Sequence, residues 1–189
     1  MKKESIKKIK LIALILIILC NLGTLFYVAP LKENLSYLGN ELGHKFYLIL
    51  WGTSAGLYFY SYTYTFMKRT SYSSKLGKLL LLIACLGMMI SVLLPYHPTS
   101  YPELSKWHIR IAMWATALYV AVFFHYLFDL MKKDFVLFEK SMSLYGLLVS
   151  FDLVLFMVYG SVSSLLEITF TIGMAILLFW MDAKQETNI

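Results

Sequence analysis

Six long apolar segments follow one another along this chain, and they constrain its fold more than any other feature of the sequence. Each has about 18 to 24 residues, and a helix that rises about 1.5 Å per residue needs roughly 20 to cross the apolar core of a bilayer. Because a bilayer offers the backbone no water, a spanning segment must be a helix or part of a closed barrel. The sequence therefore predicts an all-α, polytopic integral membrane protein with a six-helix bundle. The predicted spans, in one transmembrane domain over residues 1–189, are 11–30, 46–67, 78–95, 108–131, 142–160 and 163–181.

The composition supports the membrane class and argues against nucleic acid as a partner. Charged residues make up 15% of the chain, whereas a soluble domain carries about 25%. The net charge of +6 comes from basic residues at the ends of apolar segments, where they orient a membrane protein and meet anionic lipid. Cys20 and Cys85 both lie inside apolar segments, so we expect two small buried side chains and no disulfide framework.

The distribution of lysine and arginine predicts how the helices are oriented. Thirteen of the 17 basic residues fall on one side of the predicted membrane, together with both termini. Since the cytoplasmic side of a membrane protein carries the excess of Lys and Arg, both termini are predicted to be cytoplasmic (N-in/C-in). The localisation predicted is a multi-pass protein of a cell membrane. The richness in Lys, Ile and Tyr is typical of an AT-rich bacterium.

Most of the chemically versatile side chains fall on the predicted outer side. The two outer loops, residues 30–44 and 95–108, contain three of the four histidines. Two carboxylates lie within predicted spans, and an ionisable group inside a membrane normally faces the bundle interior or a wet cavity. These residues predict a polar pocket that opens outward. The candidate binding residues are Asn40, Glu41, His44, His97, Asp152 and Glu167.

His108 is the strongest candidate for catalysis, with Ser36 as its nucleophile. A histidine at the mouth of a helix can act as an acid or a base near neutral pH. Ala112 and Ala115 follow it on one helix face, which leaves room for a ligand or for a close neighbouring helix. For the other histidines and for Asp152, purely structural hydrogen bonds are the alternative interpretation.

Metal binding finds less support in the sequence. Glu41 and His44 have the i, i+3 spacing of carboxylate-histidine metal helices, but such sites use two of these motifs and this chain has one. His97 and His108 are separated by eleven positions, which matches no standard zinc pattern. We expect no metal and no other cofactor, with zinc as the alternative.

The motif Ser36-Tyr-Leu-Gly39, followed by Pro95 and then His108-Ile-Arg-Ile-Ala112, resembles an uncharacterised bacterial six-helix family related to the DRAM proteins. In that family a Ser-x-Leu-Gly element follows the first helix, and a Pro and a His-x-x-x-Ala element bracket the second outer loop. The resemblance implies a six-helix membrane fold, and it leaves the reaction undefined.

The chain also resembles the androgen-induced-gene-type lipid hydrolases, which are small six-helix proteins with a threonine nucleophile and a membrane-embedded histidine. Tyr101-Pro102 leads to His108 in a comparable way. Ser36 or Thr53 would have to serve as nucleophile here, and neither stands in a sequence that matches that family's threonine motif.

These observations leave three functional hypotheses. The first is a small membrane protein whose outward pocket binds a membrane lipid or a membrane protein partner. The second is an intramembrane lipid hydrolase or transferase in which His108 is the base and Ser36, or a metal-bound water, is the nucleophile. The third is a small transporter, or a subunit of a membrane complex, that uses Asp152 and Glu167 as a path for a proton or cation.

Overall fold

The computed structural model describes residues 2–187, with side chains from residue 4 to residue 185. The described part of the chain is all-α and contains no strand, which confirms the all-α part of the predicted fold class. The seven helices are α1 (Lys2–Thr24), α2 (Leu35–Asn40), α3 (Lys45–Arg69), α4 (Lys75–Ser91), α5 (Pro102–Met131), α6 (Phe135–Tyr159) and α7 (Ser164–Thr187).

Three of these helices are long and apolar enough to cross a membrane. They are α5, α6 and the part of α7 over Ser164–Gln185. In contrast, α4 has 17 residues, about 26 Å at the usual rise, which is shorter than a typical bilayer core of about 30 Å.

Short polar side chains and special backbone residues define the helix boundaries. The Asn34 side chain accepts a hydrogen bond from Tyr37 N at the start of α2. Ser74 and Asp134 cap α4 and α6 in the same manner. Such caps satisfy backbone N–H groups that have no partner within the helix. Gly160 ends α6 with a φ of 65°, a conformation in which glycine avoids the steric cost of a Cβ.

Both of the loops predicted to lie on the outer side contain more helix than the sequence predicted. Residues 30–44 include α2, and α5 begins at Pro102 rather than near residue 108. Proline is favoured at the first helical position, since the N–H that it lacks would have no helical partner there. The loop before α2 is fixed on α7, where Ser164 N donates to Glu33 O at 2.7 Å and Leu165 N donates to Pro30 O at 2.8 Å.

The six longer helices run alternately in opposite directions, so the bundle has two distinct ends. One end carries α2, and we call it the α2 end. The other carries both termini, and we call it the terminal end. Asp182 of α7 joins three helices at the terminal end, because its carboxylate accepts hydrogen bonds from Lys10 of α1 and from Arg69 of α3.

Close packing at small residues holds α3 against α4. A Cβ on Gly52 would lie 2.5 Å from Val92 Cγ1, and a Cβ on Gly56 would lie 2.6 Å from Met89 Cγ. The two glycines are thus required for helix contact within the chain, as in small-xxx-small pairs generally. Tyr58 of α3 is 6% exposed and donates to Ala175 O of α7 at 3.2 Å, so α3 also packs against α7.

Candidate functional site

An elongated cavity of about 670 Å³ lies among α2, α3, α4, α5, α6 and α7. Its lining runs along α5 from His108 to Phe124, a separation of sixteen positions that corresponds to about 24 Å of helix. Small residues leave the space open. Ala112 faces the cavity, whereas Ala115 packs against Gly87 of α4. Of the two alanines predicted to share a helix face below His108, one leaves room for a ligand and the other allows close helix packing.

The two ends of the cavity differ in polarity. Ser36, His108, Asp152 and Glu167 all line it toward the α2 end. Toward the terminal end the lining is formed mainly by apolar and aromatic side chains, namely Val120, Ala121, Phe124, Met142 and Tyr145. The cavity is therefore amphipathic along its long axis.

Ser36 and His108 form a direct hydrogen bond between α2 and α5. Ser36 Oγ lies 2.6 Å from His108 Nε2, and both side chains are buried. His108 Nδ1 forms no hydrogen bond of standard geometry with the described residues. The backbone carbonyls of Ser91 and Leu94 lie beside the ring, and the ring of Tyr96 packs on it with centroids 5.4 Å apart. The two residues predicted as base and nucleophile are thus brought together.

Glu167 holds the beginning of α2. Its Oε2 accepts a hydrogen bond from Leu35 N at 2.7 Å, one residue before Ser36. At the other end of α2, Asn40 Nδ2 donates to Ser36 O at 2.9 Å. The position of the Ser36 backbone is consequently determined by α7 on one side and by its own helix on the other.

Lys45, which directly precedes the predicted span 46–67, links α2 to the loop after α4. Its ammonium donates to Asn40 Oδ1 at 3.2 Å and to Leu94 O at 3.0 Å. Partial burial lowers the pKa of this ammonium, because removal from water disfavours the charged form. Lys45 does not itself line the cavity.

Asp152 and Thr169 form the polar contact between α6 and α7. Thr169 Oγ1 donates to Asp152 Oδ1 at 2.6 Å. The second carboxylate oxygen, Oδ2, is buried and has no hydrogen-bond partner among the described residues. Asp152 therefore presents an unused acceptor at the polar end of the cavity.

The remaining predicted site residues lie outside the cavity. Glu41 Oε1 and His97 Nδ1 form a half-exposed pair at 3.0 Å, which ties α2 to the loop before α5. His44 packs against Tyr27 with ring centroids 4.7 Å apart. Asn40 contacts Ser36 only through the backbone carbonyl. These four residues shape the α2 end, and the cavity brings together the other four.

No group of three His, Cys, Asp or Glu side chains in the described part of the chain is arranged to hold a metal ion. No protein-family model, curated protein or solved structure matches this chain. The resemblance to DRAM-related and androgen-induced-gene-type proteins accordingly stays a prediction.

Two residues of the site were not identified from the sequence. Thr169 is the hydrogen-bond partner of Asp152, and Gly146 of α6 lines the cavity with nothing within 4 Å of an added Cβ. An isolated glycine inside a helix costs about 1 kcal/mol relative to alanine, so it signals a packing or functional role. Gly146 carries that signal, whereas no sequence pattern pairs Thr169 with Asp152.

Proposed function

We propose that this chain is an integral membrane protein that binds a single-chain lipid in the cavity among its helices. The acyl chain lies along α5 toward Phe124, and the polar head lies near Ser36, His108 and Glu167. The observation that carries the proposal is the amphipathic cavity itself, about 670 Å³ in volume and polar at one end only.

The exposed apolar surface supports placing all six longer helices in the membrane, although α4 is shorter than a typical bilayer core. Large apolar side chains are exposed on helices other than the three strongest candidates, including Ile12 of α1 (56% exposed), Leu57 of α3 (56%) and Leu79 of α4 (53%). Lipid tails would surround these side chains in a membrane, whereas in water they would form large exposed apolar patches.

The charges support a cytoplasmic terminal end. Lys68 and Arg69 end α3, Lys132 and Lys133 follow α5, and Lys75 begins α4, all at the same end of the bundle. The positive-inside rule then orients the α2 end, and with it the polar end of the cavity, toward the outside. A lipid of the outer leaflet could present its head to Ser36 and His108 in this orientation.

The size and chemistry of the cavity fit such a ligand. Its volume falls within the range of about 300–1,000 Å³ for small-molecule sites, which are mostly apolar with a few convergent polar groups. The lining contains two carboxylates and no lysine or arginine. An uncharged polar head, such as that of a monoacylglycerol, fits this lining better than a phosphate does.

Replacing Gly146 by leucine is expected to abolish lipid binding without destabilising the protein. The added side chain would project into free space in the cavity, and leucine has the higher helix propensity by about 0.8 kcal/mol. The measurement uses a monoacylglycerol with a diazirine in its chain, photo-crosslinked to the purified protein in lipid nanodiscs. Wild-type protein should show crosslinks to cavity residues that are shielded from bulk lipid, such as Met142 or Tyr145, and these should fall at least tenfold in Gly146→Leu.

Ser143→Leu is the matched control, since Ser143 is exposed on the same helix and outside the cavity. Excess unlabelled monoacylglycerol should compete with the probe for cavity crosslinks. Equal cavity crosslinking in wild type and a folded Gly146→Leu variant, or crosslinks on lipid-facing residues alone, would refute the proposal.

A further inference from the structure

Building on the proposed lipid-binding cavity, we propose that Ser36 and His108 form a nucleophile and base pair that cleaves the ester of an uncharged single-chain lipid. The two side chains stand 2.6 Å apart at the polar end of the cavity, where the ester of a lipid with its chain toward Phe124 would lie. A hydroxyl hydrogen-bonded to an imidazole nitrogen is the arrangement that activates serine as a nucleophile.

The surroundings hold this pair as an active site requires. Glu167 fixes Leu35, immediately before the nucleophile, and Gly39 packs directly against Leu48 of α3 one turn later. Contacts with α3 and α7 thus hold the reacting groups in position. Small displacements of such groups would lower the reaction rate. Ser36 and His108 are both removed from bulk water, being 8% and 3% exposed.

The hydrogen bond to Ser36 defines the tautomer that the reaction requires. His108 Nδ1 is buried and makes no hydrogen bond with the described residues, although the backbone carbonyls of Ser91 and Leu94 lie beside the ring. A proton on Nδ1 leaves Nε2 as an acceptor facing the Ser36 hydroxyl. No group among the described residues takes the orienting role that a carboxylate has in a Ser-His-Asp triad, so Ser36 and His108 act as a dyad.

The reaction then proceeds in two balanced steps. Ser36 Oγ attacks the ester carbonyl carbon as its proton passes to His108 Nε2. The bond from that carbon to the leaving alcohol breaks, and the alcohol oxygen takes the proton from His108. A water molecule, the second substrate, attacks the acyl-serine and gives its proton to His108. The fatty acid leaves as the proton returns to Ser36 Oγ.

The absence of basic side chains from the lining selects the substrate class. Asp152 and Glu167 are the charged groups of the lining, and Asp152 Oδ2 is free to accept a hydrogen bond. A glycerol hydroxyl can donate to that oxygen, whereas a phosphate would face two carboxylates in the lining. Lys45 lies close by but outside the lining, and its ammonium is already bound to Asn40 Oδ1 and Leu94 O. A monoacylglycerol is therefore the expected substrate.

An alkyl fluorophosphonate tests the nucleophile directly on the purified full-length protein in nanodiscs. Wild-type protein should form one covalent adduct, which peptide mass spectrometry should locate at Ser36. Ser36→Ala should remove the adduct, and His108→Gln should slow its formation at least a hundredfold, in keeping with the contribution of a general base. Ser143→Ala, at an exposed serine of α6, should label like wild type.

The rates at which the variants hydrolyse monoacylglycerol should rank in the same order as their rates of adduct formation. Wild-type protein should cleave lysophosphatidic acid at least tenfold more slowly than monoacylglycerol. The diazirine crosslinking assay verifies that Ser36→Ala and His108→Gln still fold and bind. Binding without a Ser36 adduct would overturn the nucleophile inference and leave the lipid-binding proposal standing. The absence of cavity crosslinks in the wild-type protein would overturn both the lipid-binding proposal and the nucleophile inference.

Discussion

Asp182→Ala is expected to lower the free energy of unfolding by about 3 kcal/mol, the largest effect of a single substitution at the terminal end. Asp182 is 4% exposed and accepts hydrogen bonds from both Lys10 and Arg69, with Arg69 Nη1 at 2.6 Å. Removing one member of a buried ion pair typically costs about 3–5 kcal/mol, because a buried charge is left without its partner. Because Lys10 and Arg69 are partly exposed, we expect a loss in unfolding free energy at the lower end of that range.

The substitution should also loosen α1, whose main helix contacts are with α7 and α3. Detergent-induced unfolding followed by circular dichroism measures the change in free energy. Glu4→Ala is the matched control, since Glu4 pairs with Lys8 at 3.3 Å while both side chains are more than 70% exposed. That variant should lose less than about 0.5 kcal/mol. If the two variants are equally stable, the Asp182 cluster does not hold the terminal end together.

Gly39→Ala is expected to reduce Ser36 labelling by alkyl fluorophosphonate at least tenfold. A Cβ at Gly39 would lie 2.7 Å from Leu48 Cβ and closer still to Leu48 Cδ2, well inside van der Waals contact. Because Leu48 is 1% exposed and packed within the core at the α2 end, α2 must move away from α3. That movement lengthens the Ser36–His108 hydrogen bond, and a displacement of about 1 Å can cost a hundredfold in rate.

Two further variants distinguish displacement of α2 from a general effect of removing a glycine. Gly77→Ala adds the same methyl group to a helical glycine of α4 that contacts Tyr72 at the terminal end and lies outside the cavity, so its labelling should match wild type. Leu48→Ala combined with Gly39→Ala removes Leu48 Cδ2 and Cγ but keeps Leu48 Cβ, the atom 2.7 Å away, so it should restore part of the labelling rate and not all of it. If Gly39→Ala labels as fast as wild type, the close contact of α2 with α3 does not position Ser36.

The helical architecture could be predicted from the sequence because its cause is local. A run of about 20 apolar residues forms a helix in a membrane whatever its neighbours are. Boundaries also follow local rules at Asn34, Ser74 and Asp134, whose side chains cap the helices that they precede. The helix α2 escaped prediction, since six residues lack the length that gives a periodic pattern its weight.

The candidate site was predictable only in part. His108, Ser36, Asp152 and Glu167 were singled out as ionisable or nucleophilic groups in or beside apolar spans, and the structure places all four around one cavity. His97, from the same predicted outer loops, instead joins a half-exposed hydrogen-bonded pair with Glu41. The sequence indicates on which side of the predicted membrane a residue lies, but it does not show whether the side chain lines the cavity or lies at the surface of the bundle.

The sequence by itself determined the all-α class, the apolar character of the long helices and the concentration of basic residues at one end of the bundle. Each follows from residue type and spacing along a single segment. Only the tertiary structure decided that Ser36 meets His108 and that Gly146 faces open space. Those contacts join residues far apart in the chain, 72 positions in the first case, and their geometry depends on how several helices pack together.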